Sequence, residues 1–249
     1  MGTLHLKRFV KDMTIVCACF LMVSMTSVAQ TQEQAQEKPQ PKQRKFYLSF
    51  GGSFLMIGDT PFGGGSLSFG YKPSPKNLWI FEIEGGGGDS QNLGSYSYSL
   101  YNSNTGQIIE TKNDGKITYN YSLYEATIAW NRVVKMPKKW DFRFGPCIGL
   151  LTLTGGDHYS PTSYKGIDIE GIPETQSESK SVIMGGVIAG FTWNFAKRWF
   201  MDTNYRLSVN QSVEFPSRAW SALGHSVAIQ EKEFGSLSNR INISIGVRL

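Results

Sequence analysis

The feature that most limits what this chain can become is a two-residue alternation that runs, segment after segment, to its last residue. In the final stretch Ile241, Ile243, Ile245, Val247 and Leu249 share one parity, and Arg240, Asn242, Ser244, Gly246 and Arg248 share the other. The same period sets Phe46, Leu48, Phe50, Phe54 and Met56 against Ser49, Gly51 and Ser53, and Leu67, Phe69 and Tyr71 against Ser66, Ser68 and Gly70. It sets Trp79, Phe81 and Ile83 against Glu82 and Glu84, and Trp140, Phe142, Phe144, Ile148 and Leu150 against Asp141, Arg143, Gly145 and Gly149. Successive side chains point to opposite faces in a strand and not in a helix, so each segment predicts a β-strand. Eight are expected, at about 45–57, 63–72, 78–88, 116–134, 140–155, 181–195, 199–212 and 236–249.

One segment departs from the pattern. Tyr119, Tyr121 and Leu123 are odd, whereas Tyr124, Ala126, Ile128 and Trp130 are even. A one-residue bulge near Leu123–Tyr124 is expected to return them to a common face. The connections 58–62, 73–77, 135–139 and 196–198 are short, and those at roughly 89–115, 156–180 and 213–235 are long. Short turns alternating with mostly longer loops predict an all-β, antiparallel, up-and-down barrel.

Alternation does not say which parity faces outward. Charged residues are only 18% of the 249, below the usual quarter, while aromatics reach 13%. This excludes a disordered chain, and no apolar run is long enough for a spanning helix. Five of the six Trp flank three short turns. Tyr71, Trp79, Trp130, Trp140, Trp193, Phe195 and Trp199 are therefore expected to form one aromatic ring at a single end, as a membrane–water interface selects. The opposite parity carries Glu82, Glu84, Glu125, Asp141 and Asp202 with Arg143, Arg206, Arg240 and Arg248, mixed signs that suit a narrow lumen where unpaired charge is costly. Gly, Ser and Thr fill much of the rest of that parity. A transmembrane barrel with the apolar parity in lipid accounts for all three observations. Lys72, Lys76, Lys135, Lys138, Lys139, Lys197 and Arg198 sit in or beside the short turns, where they either meet anionic headgroups or merely solubilise the turns.

The first 29 residues read as a cleaved secretory signal peptide, with Lys7, Arg8 and Lys11 ahead of an apolar stretch from Met13 to Met25 and small residues at Ser27 and Ala29. Residues 30–44 are polar, Gln- and Pro-rich, and read as a flexible linker ahead of a barrel at 45–249. Cleavage lowers the formal charge of +5 by two, too weak a bias to point to nucleic acid. It also leaves Cys147 as the single cysteine, so no intrachain disulfide is expected.

The leader, the eight strands, the one-ended Trp ring and the terminal IxIxIGVRL strand resemble small outer-membrane β-barrels of the OmpX and OmpA-barrel type. The Gly-rich FGPCIGLL strand and the layout are similar to the porin-family outer-membrane β-barrel proteins of Bacteroidota. The resemblance covers about 45–249 and rests on pattern, with no catalytic motif. It departs at the end, where Leu249 stands in place of the usual Phe or Tyr. It implies residence in the Gram-negative outer membrane, phospholipid and lipopolysaccharide as neighbours, the barrel assembly machinery as a partner, and a monomer with no cofactor. It also implies a structural or surface-interaction role through the long loops, which carry Tyr96, Tyr98, Tyr101, Tyr159, Tyr164 and Trp220.

Two further functions compete. Eight strands leave an interior wide enough only for side chains or one small ligand, so a salt-bridged plug is favoured over a narrow diffusion pore. His158-Tyr159-Ser160 resembles the His-x-Ser of lipid A deacylases, in which His is the base and Ser the nucleophile. Here it is followed by Pro161 and lies at the mouth of the fifth strand, far from the C-terminal strands that carry it in that family. The remaining His are His5 and His225, and no metal-ligand spacing appears. The run Gly85–Gly88 lacks the features of a phosphate loop and is expected to end a strand at the outer rim.

Overall fold

Each expected strand forms, and each pairs antiparallel with the next in sequence. The computed structural model describes residues 45–101, 107–160, 163–164, 167–168, 175–222 and 225–249; the proposed leader and linker lie outside them. The strands are β1 (Phe46–Ile57), β2 (Thr60–Ser74), β3 (Asn77–Tyr101), β4 (Ile108–Lys135) and β5 (Trp140–Ser160). After the short β6 (Ser163–Tyr164) and β7 (Ile167–Asp168) come β8 (Ser177–Trp193) and β9 (Trp199–Asn210). Next are β10 (Val213–Phe215), β11 (Arg218–Ala222), β12 (His225–Ile229), β13 (Lys232–Phe234) and the closing strand β14 (Leu237–Arg248). Strands β1, β2, β3, β4, β5, β8, β9 and β14 form a closed barrel, sealed where β14 pairs with β1 at Phe50↔Ile245. Closure leaves no unpaired edge, the condition for a sheet to exist in hydrocarbon.

The apolar parity faces outward. Phe50, Leu67, Phe81, Ile128, Ile148, Val187, Val209 and Ile243 are all exposed, and Ile183 reaches 69%. From Trp199 to Val209 the outward residues of β9 are apolar or aromatic apart from Thr203. That stretch rises about 33 Å along the strand, or about 25 Å after the usual barrel tilt, the height of an outer-membrane apolar belt. Toward the long-loop end the outer face turns polar, marked by the paired hydroxyls of Thr152 with Ser181 at 2.9 Å and Thr154 with Ser179 at 2.8 Å. This is a transmembrane β-barrel with its lipid face on the parity that carries the tryptophans.

Three expectations are corrected. The register through Leu123 and Tyr124 is unbroken against both β3 and β5, so β4 has no bulge there. Instead Tyr119, Tyr121 and Leu123 point inward and are buried, while Tyr124 points outward at 62% exposure. The connections drawn as long loops contain strand. The ribbon of β3 and β4 runs on to Tyr101 and Ile108, and the segment between β9 and β14 folds into two small ribbons, β10 with β13 and β11 with β12. The run Gly85–Gly88 lies inside β3 rather than at its end. A Cβ on Gly88 would meet the Phe62 ring at 2.3 Å, so the missing side chain makes room for that ring within the barrel. Gly70 does the same for the ring of Tyr47.

Candidate functional site

The interior is built in layers, and the small side chains of one parity decide where the large ones fit. Nearest the short turns, Arg143 on β5 donates from Nε to Asp202 on β9 at 3.2 Å and from Nη2 to the second carboxylate oxygen. Thr192 Oγ1 and Asn204 Nδ2 donate to the same carboxylate at 2.6 and 3.3 Å. Leu78, Ile80, Ala129, Val133, Cys147 and Ile188 form a buried apolar cluster with Tyr47 packed against it, and Cys147 is a buried free thiol on the lumen side. Asp141 is buried at the rim and pairs with Lys135 at 2.9 Å. Arg248 is only half-buried: it donates to Asn194 Oδ1 and lies over the Phe200 ring at 5.6 Å. It therefore belongs to the rim rather than to the ion-paired centre. A cavity of about 50 Å³ opens here, well below the few hundred Å³ of a small-molecule site.

The middle layer gathers residues from six strands. Nη1 of Arg240 (β14) meets Glu82, Glu84 at 2.6 Å and Glu125 at 3.8 Å, while Nη2 donates to Asn204 Oδ1 at 3.3 Å. Arg206 on β9 makes a two-pronged contact with both carboxylate oxygens of Glu125. Ser68 donates to Glu82 at 2.8 Å, and Ser53 donates to Glu84. Glu82, Glu84 and Glu125 stand close enough to share one cation, and the Arg240 guanidinium occupies the position between them. Arg240 is 0% exposed and Arg206 1%. Desolvated charges of this kind persist only when paired and hydrogen-bonded. The inward positions of β1 and β2 beside this layer carry only small side chains: Ser66 Oγ accepts from Asn242 Nδ2, and a Cβ on Gly51 would meet Ser244 of β14 at 2.6 Å.

Above this layer the lumen turns apolar. Leu55, Ile57, Phe62, Tyr119, Tyr121, Leu123, Leu151 and Leu153 line the wall, and Val213, Phe215, Ile229 and Phe234 descend onto them from the segment between β9 and β14. Tyr121 lies edge-on to Phe234 at 5.1 Å and to Phe215 at 5.5 Å, and Phe62 meets Phe234 at 5.9 Å. Lys232 pins the cap to the wall through Asp89 at 3.0 Å, and that hydrogen bond holds the Asp89 carboxyl below the usual carboxylate range. Tyr96, Tyr98, Ile117, Tyr159 and Val227 form a further buried cluster, with Trp220 donating Nε1 to Tyr159 at 3.3 Å. Tyr96, Tyr98 and Tyr159 are thus core residues of the raised ribbons and not exposed contact residues; the side chains of Tyr101 and Tyr164 lie outside the described set.

The cap was absent from the sequence reading, though a signal existed. In Phe54-Leu55-Met56-Ile57 and in Leu150-Leu151 the alternation gives way to apolar residues on both parities. That happens where the outer face meets lipid and the inner face meets the cap. The parity change in β4 is the same signal.

On the outside, Phe46, Tyr71, Trp79 and Trp130 are successive register partners across β1 to β4. Trp140 and Trp193 are partners on β5 and β8, stacked at 6.0 Å, with Phe195 at 5.5 Å from Trp193. Trp199 pairs with Val247 on the neighbouring strand. All seven ring residues are exposed and lie next to short turns. His158 and Ser160 are exposed on the outward parity of β5, above the polar Thr152 and Thr154, with Tyr159 turned inward between them.

No family model matches the chain, and no curated protein does. Among solved structures the chain is similar to Neisserial surface protein A, with a TM-score of 0.48 and 10% identity over 82% of this chain and 97% of that one. It is similar to Ail, the attachment invasion locus protein of Yersinia pestis, with a TM-score of 0.44 and 11% identity over 83% and 100%. It is also similar to the outer membrane protease OmpT of Escherichia coli, with a TM-score of 0.36 and 13% identity over 77% and 66%. The closed eight-stranded meander, the outward apolar belt and the aromatic ring beside the short turns together give this chain the fold of the small outer-membrane β-barrels.

Proposed function

We propose that this chain is a sealed, non-enzymatic barrel of the outer membrane, exported by its N-terminal leader, with a structural or surface-interaction role carried by the raised ribbons at the long-loop end. The observation that carries this reading is the filled interior. A layer of paired arginines and carboxylates lies beneath an aromatic cap, and the recess at the short-turn mouth holds only about 50 Å³. A conducting lumen would keep its charged groups solvated. Here they are buried against one another, and a second, apolar barrier lies in series with them.

The placement of His158 and Ser160 also favours a non-enzymatic role. A base and its nucleophile must converge on one substrate atom with a carboxylate orienting the base. These two side chains instead project outward from neighbouring positions of one face of a β-ribbon, away from the buried carboxylates of the lumen.

Planar-bilayer recording of the refolded full chain tests the sealed state, with no conductance above background expected. Steady, reproducible channel steps from the wild-type protein would overturn the reading in favour of a diffusion pore.

A further inference from the structure

The turn between β4 and β5 contains an anomaly that the barrel itself does not require. Lys138 and Lys139 both occupy the left-handed backbone region, at φ 59° and 69°. Left-handed turn positions are ordinarily filled by Gly or Asn, because longer side chains strain that conformation. The backbone N and side-chain Nδ2 of Asn194 each donate to the Lys139 carbonyl at 2.9 Å, tying this turn to the next one around the rim. That second turn presents Lys197 and Arg198. All four basic residues are exposed, and neither 136–139 nor 194–198 contains an acid. The first acid after the β4–β5 turn, Asp141, is buried and already paired with Lys135.

Two further features make this more than a solubilising fringe. The stacked Trp140 and Trp193 stand outward beside the two turns. The turns also expose Met136 and Phe195 at 43% and 37%, apolar groups that a purely water-facing turn would not favour. Cations, stacked indoles and apolar tips thus meet at one level of the barrel, matching the sequence of phosphate, interface and acyl chain in a lipid leaflet.

We propose that the β4–β5 and β8–β9 turns form a binding surface for the phosphate groups of anionic phospholipids in the leaflet around the short-turn end. Lys138, Lys139, Lys197 and Arg198 supply the charge, and Trp140 and Trp193 hold the glycerol and upper acyl region. The proposal rests on the transmembrane reading, so the two must be separable by experiment.

The test refolds the full chain into phosphatidylcholine vesicles and reads insertion as heat-modifiable gel mobility. Failure to insert would overturn the transmembrane reading. With insertion established, quenching of Trp fluorescence by brominated phosphatidylglycerol is compared with quenching by brominated phosphatidylcholine. The expected preference for the anionic lipid is at least fivefold, the effect of roughly one basic side chain near a charged surface. Replacing all four residues, as Lys138→Gln, Lys139→Gln, Lys197→Gln and Arg198→Gln, should bring the preference to parity.

A second variant, Lys138→Asn with Lys139→Gly, places residues that tolerate the left-handed region at both positions. It should insert at least as well as wild type while losing most of the preference, which separates lipid binding from folding. Lys112→Gln with Lys180→Gln, at the opposite end, should leave the preference unchanged. Equal quenching by the two lipids in wild type, or a preference that survives both turn variants, would overturn the proposal.

Discussion

The ion-paired middle of the lumen and the aromatic cap above it are equally inaccessible to water, yet they are held by different physics. In the middle layer, Arg206 and Arg240 are bound by geometry-dependent contacts to Glu82, Glu84 and Glu125. Such a layer contributes little net stability over an apolar filling of the same volume, but loss of one partner is severe, because a charge then remains buried and unpaired. In the cap, Tyr121, Phe215 and Phe234 gain by removing area from water and by ring contacts, and each can be trimmed at a cost set by the cavity left behind. The lesson is that one barrel uses a specific, brittle core where charged side chains meet across the lumen, and a forgiving core where the ribbons between β9 and β14 fold in over it.

The contrast can be broken most sharply at Arg240. Arg240→Met should cost about 3–5 kcal/mol in urea unfolding from vesicles, since Glu82 and Glu84 lose their counter-charge. Adding Glu84→Gln to that variant should recover part of the loss. A single-variant cost within the error of wild type would mean that water reaches the layer, and the distinction between the layers would fall.

Phe234→Ala removes a fully buried ring from the cap and should cost about 3 kcal/mol by the same measurement. No charge change elsewhere should rescue it, and rescue by a lumen Glu→Gln change would couple layers that are held to be independent. The smallest effect belongs to Tyr121→Phe. Its hydroxyl is buried without a hydrogen-bond partner, so deletion should be neutral or stabilising by up to about 1 kcal/mol. A clear destabilisation would show that the cap contains polar contacts and is less different from the middle layer than described.

Much of the barrel was legible because its code is local. Period two marks a strand wherever the two faces meet different surroundings, and Ile241, Ile243 and Ile245 against Asn242, Ser244 and Gly246 read without ambiguity. The polar inward residues Glu82, Arg206 and Arg240 were legible as a group, because charge on the minority parity of a membrane strand has nowhere else to go. Their partners were not. Arg240 meets Glu84 across 156 positions of sequence, and no spacing rule spans that separation. The cap failed for the opposite reason: Leu55, Leu151 and Leu153 lie where both faces are apolar, so the period vanishes just where the interior changes character. In β4 the same change of environment looked like a bulge, although the hydrogen-bond register runs straight through it.

The sequence by itself determined the strands, their order, the outward parity and the end at which the tryptophans gather, since each follows from neighbours one or two residues apart and from short turns that force adjacent strands together. Only the tertiary structure decided that Arg240 stands among three glutamates, that Phe215 and Phe234 close the mouth, and that two strained lysines are tied to the neighbouring turn by Asn194. Those choices depend on strand stagger around a closed barrel, a property of all eight strands at once. No single strand encodes which rung of its neighbour it will face.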